Sequence, residues 1–411
     1  MISIFTPSHN AKWLDECYAS LTEQTNDNWE WIVLLNGKAQ WTPPEDERVK
    51  VYRAKTKTKG VGALKREAVE HCTGEYLLEL DHDDKLMPTA IMDVEFAFDN
   101  NPEVGLVYSD CAQINEDGTP NEEEFSSDYG WEYYFQGGYK VAHTFDPHPH
   151  NASYIWFAPN HLRAFRRSTY ERTQGYNANL TVADDAEIMV QLYIQSEFYH
   201  INECLYLQRI HKDNTQKKAD LNAKIQETTV EIHYAGIEAM SLSWATRNKL
   251  MALDLGSHHG KPPGFTGVDL RPGEGVDIVE DFMALDVEPG TVGVIRAYDF
   301  MEHIADRQGF MDKCYELLCH GGMLLTMTPS TDGRGAFQDP THISYWNSNS
   351  FWYYSQKQHS DFIDNTTRFQ MSSVRNVFPT EFHREHNILY VQANLIAIKN
   401  DNRDFGGLLG I

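Results

Sequence analysis

GEYLLELDHDD, residues 74–84, carries an apolar run from Tyr76 to Leu80 that ends in three carboxylates within four residues. A short run of this kind reads as a strand buried on both faces. Asp81, Asp83 and Asp84 repel one another, so grouping them is costly unless a cation neutralises them. Carboxylate oxygens are hard ligands and suit Mg²⁺ or Mn²⁺. The carboxyl end of a parallel strand is also where open α/β sheets place ligands.

Working outward, the neighbouring segments repeat the pattern. Ile2 to Thr6 is apolar and stops at Thr-Pro, and Trp29 to Leu35 is continuous and ends at the turn pair Asn36-Gly37. From Gly60 to Cys72, Val61, Leu64, Ala68, Val69 and Cys72 share one helical face, and Thr73-Gly74 closes the helix. A helix from Pro88 to Asn100 and a strand from Gly105 to Ser109 follow. Alternating β and α elements predict a mostly parallel sheet covered by helices. Between about 112 and 180 the pattern loosens into a polar, acidic stretch (NEDGTPNEEEFSSDYG, residues 115–130) and then aromatics and His-Pro repeats. Residues 216–247 read as an amphipathic helical connector. A second α/β pattern then begins, with strands at Met251–Leu255, Phe265–Asp269, Val292–Ala297, 322–327 and 387–398, and a helix at 310–319.

The chain has 411 residues, which at roughly 150 per domain predicts two or three domains. Lys and Arg total 35 and Asp and Glu 60, a net charge of −25 that disfavours nucleic acid and anionic lipid as partners. The six cysteines form no CxxC and no zinc-finger spacing, which predicts reduced thiols in a cytoplasmic protein. The first ten residues are too short and polar for a signal peptide, and no apolar run reaches the ~18 residues needed to span a bilayer. Composition leaves the oligomeric state open.

With these motifs in order, residues 1–215 resemble family 2 glycosyltransferases of the GT-A fold. KGVGALKREAVEHCTGEYLLELDHDDKLMP (59–88) is similar to that family's helix, GEY strand and DxD. ISIFTPSHN and QTNDNWEWIVLLNG are similar to its first two strands, TVADDAEIMVQLYIQ to its acceptor-side acids and YLQRIHKDN to the segment closing the site. The resemblance implies a nucleotide-sugar donor, a glycan or other hydroxyl acceptor, and Mn²⁺ or Mg²⁺. It implies Asp83 as metal ligand, with Asp81 on ribose or an ion-bound water and His211 as a further ligand. Thr6, Pro7 and Asn36 would line the nucleobase pocket, and Lys65 would pair with phosphate or base. Asp184 and Asp185 become candidates for the general base of an inverting transfer, Asp185 preferred. The second strand ends in Leu35-Asn36 where paired aspartates are usual, so the identity of the nucleotide is left open. His143, His148 and His150 form a loose histidine group, and Trp131, Tyr133, Tyr134 and Trp156 are candidates for stacking on sugar rings.

In the second pattern, MALDLGSHHG (251–260) runs from a strand into a glycine turn, and FTGVDL ends a strand at Asp269. With AYDFMEHIAD, HGGMLLTMTPS and DPTHISYW, residues from about 248 to 400, in a domain read as 248–411, resemble class I S-adenosylmethionine-dependent methyltransferases, which have a Rossmann-like fold. That likeness implies S-adenosylmethionine held near Asp254, Gly256, Gly260 and Asp269. His258 holds the place of a middle glycine. His303 and His342 are candidate bases. The whole predicts a glycosyltransferase domain followed by a unit that methylates the sugar or glycan, or, in the alternative, a non-catalytic binding or scaffolding module.

Overall fold

The computed structural model describes residues 1–55, 60–154, 161–400 and 409–411. It divides into two compact units, Met1–Met240 with Gly410, and Ser241–Leu409 with Ile411. The partition falls inside one long helix rather than at either end of it.

The first unit contains β1 (Ile2–Ser8), α1 (Leu14–Thr22), β2 (Trp29–Leu35), β3 (Val49–Arg53), α2 (Val61–His71), β4 (Tyr76–Glu79), β5 (Lys85–Leu86) and α3 (Ala90–Asn100). These are followed by β6 (Val104–Asn115), β7 (Pro120–Asn121), β8 (Glu132–Gln136), β9 (Tyr139–His143), β10 (Arg163–Arg166), α4 (Arg167–Tyr170), α5 (Asp184–Gln195), β11 (Glu197–Ile210) and α6 (Ala219–Arg247). The sheet order is β3-β2-β1-β4-β10-β6-β11-β5, with β7 and β9 also on β6 and β8 on β9. β3, β2, β1 and β4 are parallel, as the buried apolar runs predict. β10 enters antiparallel between β4 and β6, so the sheet is mixed rather than all parallel. β1 continues through Pro7, which pairs in register with Leu34. The missing N–H costs little so near the strand end.

The region that loosens after residue 112 holds more strand than its sequence suggests. β6 runs on to Asn115, and Glu132–Gln136 pairs with Tyr139–His143 as a hairpin. The main core of the unit gathers Ile4, Trp31, Val33, Leu78, Val107 and Tyr206, all fully buried.

The second unit carries β12 (Met251–Leu255), β13 (Thr266–Asp269), β14 (Ile278–Val279), β15 (Val292–Tyr298), α7 (Arg307–Leu317), β16 (Leu318–Pro329), β17 (Phe369–Val377) and β18 (Tyr390–Ala397). The order is β14-β13-β12-β15-β16-β18-β17. Strands from β14 to β16 are parallel, and β18 is antiparallel to both β16 and β17. Its core includes Leu253, Val292, Ile295, Phe310, Leu324 and Leu395. No helix stands between β12 and β13 among the described residues, although a parallel crossover usually carries one.

Candidate functional site

The acidic turn follows β4 and is held from below. Arg209 is completely buried; its Nε donates to the Asp83 carbonyl (2.8 Å) and its guanidinium reaches Glu16 (2.6 Å). Asp84 is an internal brace: it accepts from the Arg209 amide (2.6 Å) and the Tyr206 hydroxyl (2.8 Å). Burial and the charges of Asp83 and Asp81 push its carboxyl well above the ordinary value. Cys17 lies beneath, its thiol 3.2 Å from the Asp84 carbonyl and 3.4 Å from that of His82. Burial, then the Asp84 and Asp83 charges, raise this thiol well above its usual range.

Asp83 and His211 meet. His211 Nδ1 accepts from the Asp213 amide (3.2 Å), so its proton sits on Nε2, which donates to Asp83 Oδ2 (2.8 Å). Trp13 lies against the imidazole at 4.6 Å. Burial opposes ionisation of Asp83, but the His211 hydrogen bond together with the charges of His82 and His211 outweighs it and lowers its pKa. Asp81 remains 46% exposed, and desolvation by its surroundings, more than offsetting Lys65, raises its pKa, with Asp83 adding to the rise. Carboxylates that resist sharing one pocket, beside an imidazole, are a donor set that fits a divalent cation.

A second group of charges adjoins the turn. Lys65 Nζ is buried between Glu79 (3.0 Å) and Asp184 (3.2 Å). Arg163 reaches Glu79 (2.9 Å), Asp185 (3.2 Å) and the His161 ring (3.3 Å). His161 in turn lies 3.9 Å from Asp81 and stacks on Tyr206. The Tyr176 hydroxyl donates to Glu79. Burial would raise Glu79, yet Arg163 and Lys65 hold it down to about 2. Burial raises Asp184 to about 6, with Lys65 opposing and Asp185 reinforcing.

Several sequence-based expectations change here. Thr6 is fully buried, donating to the Leu80 carbonyl (2.7 Å) and accepting from the Trp31 indole (2.8 Å), so its hydroxyl ties strands together and does not line a pocket. Lys65, set by the resemblance against phosphate or base, has its ammonium enclosed by two carboxylates instead. Pro7 and Asn36 are half-buried at the carboxyl ends of β1 and β2. The three loop histidines do not assemble. His143 turns to Asp110 (3.2 Å), which His200, Tyr134 and the Thr144 amide also donate to, while His148 and His150 are buried elsewhere in the same loop. Trp131 packs between Phe125 and Phe145, and the Tyr133 hydroxyl is taken by the Phe125 amide. Trp156 lies outside the described residues.

Glu79, Arg163, His161 and Tyr176 belong to the site and escaped the sequence reading. Their signal was available: Glu79 interrupts an apolar strand, and a charge there must be paired. Arg163 opens β10 and is buried with Ala164 and Phe165, so its charge needs a partner too.

In the second unit, Asp254 is 2% exposed and bound by Arg296 (2.7 Å), so it is an interior ion pair and not a ligand group. Asp269 stands at the end of β13, but both its oxygens already accept backbone N–H groups, from Arg271 (2.9 Å) and His258 (3.2 Å). Gly256 supplies a left-handed turn (φ +77°) after β12. The turn is covered by its own chain: a Cβ on Gly275 would lie 2.1 Å from the Ser257 carbonyl, and one on Gly273 2.2 Å from that of His258. A Cβ on Gly260 would meet nothing within 4 Å, although Gly275 packs against the Gly260 backbone.

Residues 3–170 match the family described as "Glycosyl transferase family 2". Among curated proteins, the chain is 26% identical over 228 residues to chondroitin synthase of Escherichia coli, covering 54% of this chain and 31% of that protein. It is 24% identical to hyaluronan synthase of Pasteurella multocida (53% of this chain, 21% of that one). It is 25% identical to an uncharacterized glycosyltransferase of Haemophilus influenzae (56% and 79%). The chain thus spans a third or less of the two synthases it matches. Among solved structures, S. aureus TarS 1–349 in complex with UDP is 14% identical with a TM-score of 0.41, over 60% of this chain and 70% of that one. No helix of the described residues is long and apolar enough to cross a membrane. The amino-terminal part of this chain is a glycosyltransferase family 2 domain, of a family that typically uses a divalent metal, and the carboxy-terminal part is a second, mixed α/β domain.

Proposed function

We propose that the amino-terminal domain transfers a sugar, with inversion, from a nucleotide-sugar donor to a hydroxyl acceptor. The observation that carries this reading is the chain of polar side chains linking the acidic turn to the Asp184–Asp185 pair: Asp81, the neutral His161, Arg163, then Glu79 and Asp185, with Lys65 joining Glu79 to Asp184. Donor-side and acceptor-side acids then share one electrostatic unit. Asp83 and His211 would hold Mn²⁺ or Mg²⁺, with Asp81 beside the ribose or an ion-bound water. When bound, the ion offsets negative charge on the departing diphosphate. Pro7 and Asn36 border the nucleobase. Asp185 takes the proton of the acceptor hydroxyl. It is 16% exposed and oriented by Arg163, whereas Asp184 is 6% exposed and engaged by Lys65. The names of the two synthase relatives favour a glycan acceptor.

The test is a screen of nucleotide sugars with Mn²⁺, reading release of nucleoside diphosphate. Asp83→Ala should lower release by roughly two orders of magnitude, the several kcal/mol that a metal contributes to a leaving group. Equal release from the variant removes the metal assignment.

For the second domain, the strand order, five parallel strands followed by an antiparallel pair, supports a methyltransferase-like unit acting on the sugar or its acceptor. The S-adenosylmethionine fit is poor, because Asp269 is engaged by backbone amides and residues 273–275 cover the glycine turn. The same observation favours the second reading, a non-catalytic binding or scaffolding module. Calorimetry with S-adenosylmethionine separates them. No heat at high micromolar ligand supports the module, and binding that Asp269→Ala abolishes supports the cofactor site.

A further inference from the structure

The carboxyl ends of β15 and β16 bring together Glu302, which no role above uses, and the two candidate bases His303 and His342. Glu302 and His303 lie on a single 3-10 turn, Met301–His303, just after β15, and His342 comes from the loop beyond β16. One ligand atom from each lies within 4.8 Å of the others, and the two imidazole centroids are 5.1 Å apart. The backbone fixes this arrangement. The Glu302 carbonyl accepts from the Ile343 (2.9 Å) and Ser344 (3.0 Å) amides, and the Ser344 hydroxyl donates to the Met301 carbonyl (2.7 Å).

The tautomers carry the argument. His303 Nδ1 lies 3.1 Å from the Thr341 carbonyl, and His342 Nδ1 lies 3.2 Å from the Ala336 carbonyl. A carbonyl only accepts, so both Nδ1 atoms carry a proton, and in the neutral ring Nε2 is then the nitrogen with the lone pair. Metal-bound histidines are oriented in this way, with the distal ring N–H given to a backbone carbonyl or carboxylate. Glu302 is 2% exposed, and one of its oxygens is held by the Thr328 hydroxyl (2.8 Å). Among the described residues it forms no ion pair with lysine or arginine, although a buried carboxylate ordinarily needs a positive partner. Asp339 Oδ2 stands 4.0 Å from His342 Nε2, at the open side.

We propose that Glu302, His303 and His342 form a binding site for a divalent transition-metal ion such as Zn²⁺, separate from the acidic turn of the amino-terminal domain. Two imidazoles and a carboxylate suit borderline cations better than Mg²⁺ or Ca²⁺, and three protein ligands leave a coordination position open. Asp339 is placed to fill it or to accept a hydrogen bond from a bound water.

The full chain, stripped with chelator and reloaded with Zn²⁺, is desalted and its bound metal counted. The unmutated chain should retain one equivalent that His303→Gln/His342→Gln and Glu302→Gln both lose and that Asp83→Ala keeps. Equal retention by all four proteins overturns the site. Should the histidine or Glu302 variants fail to fold, X-ray absorption of the Zn²⁺-loaded Asp83→Ala chain decides. Scattering from two imidazoles supports the site, and a shell of oxygens alone overturns it.

Discussion

Asp184 and Asp185 are adjacent on one helix turn and differ in surroundings. Asp184 is enclosed with Lys65, and its pKa is raised to about 6 by burial, with the neighbouring acid adding. The folded state therefore holds this proton more tightly than the unfolded chain does. Stability from it is fully present below the ordinary carboxylate value and is lost as pH rises through about 6. A rise of about 2 units corresponds to about 3 kcal/mol. Asp184→Asn cannot titrate. Urea unfolding should then show the unmutated chain losing about that much stability relative to the variant between pH 4 and pH 7. A difference that stays constant across those pH values would refute the raised pKa. The acids of the turn were legible because like charges crowded into four residues demand an explanation. The cations opposite them were not, since nothing in a sequence says that Lys65 on α2 and Arg163 on β10 converge on Glu79.

At the scale of elements, β6 lies so close to α4 and the end of α5 that one position tolerates no side chain. A Cβ on Gly105 would lie 2.1 Å from Ser196 Oγ and 2.8 Å from Thr169 Cγ2. Gly105→Ala should destabilise the first unit by about 1–3 kcal/mol through overpacking. A thermal midpoint unchanged from the parent would show that α4 and the end of α5 shift aside freely. Buried parallel strands such as β2 were legible from unbroken apolar runs. β17 was not: its middle residues are only half-buried, and a sheet edge of this kind alternates too weakly to announce itself. The hairpin of β8 and β9 hid behind tyrosines and a lysine whose spacing carries no clear period.

Taken whole, each unit has a main core of its own among the described residues, and the chain carries an excess of acid over base. The fold of the first unit was legible because ordered motifs constrain one another. In the second, five strands were legible as apolar runs, but their order and the packing of the loops after β12 and β13 were not. The turn that carries Gly256 and Gly260 invites a ligand by sequence, and in the structure residues 273–275 pack against it. The sulfur of Cys17, roofed by the acidic turn, has a consequence of its own. Peroxides and disulfides are attacked by thiolate and not by thiol. Burial and the turn's charges keep this sulfur protonated, so it stays inert toward oxidants for as long as the turn is seated.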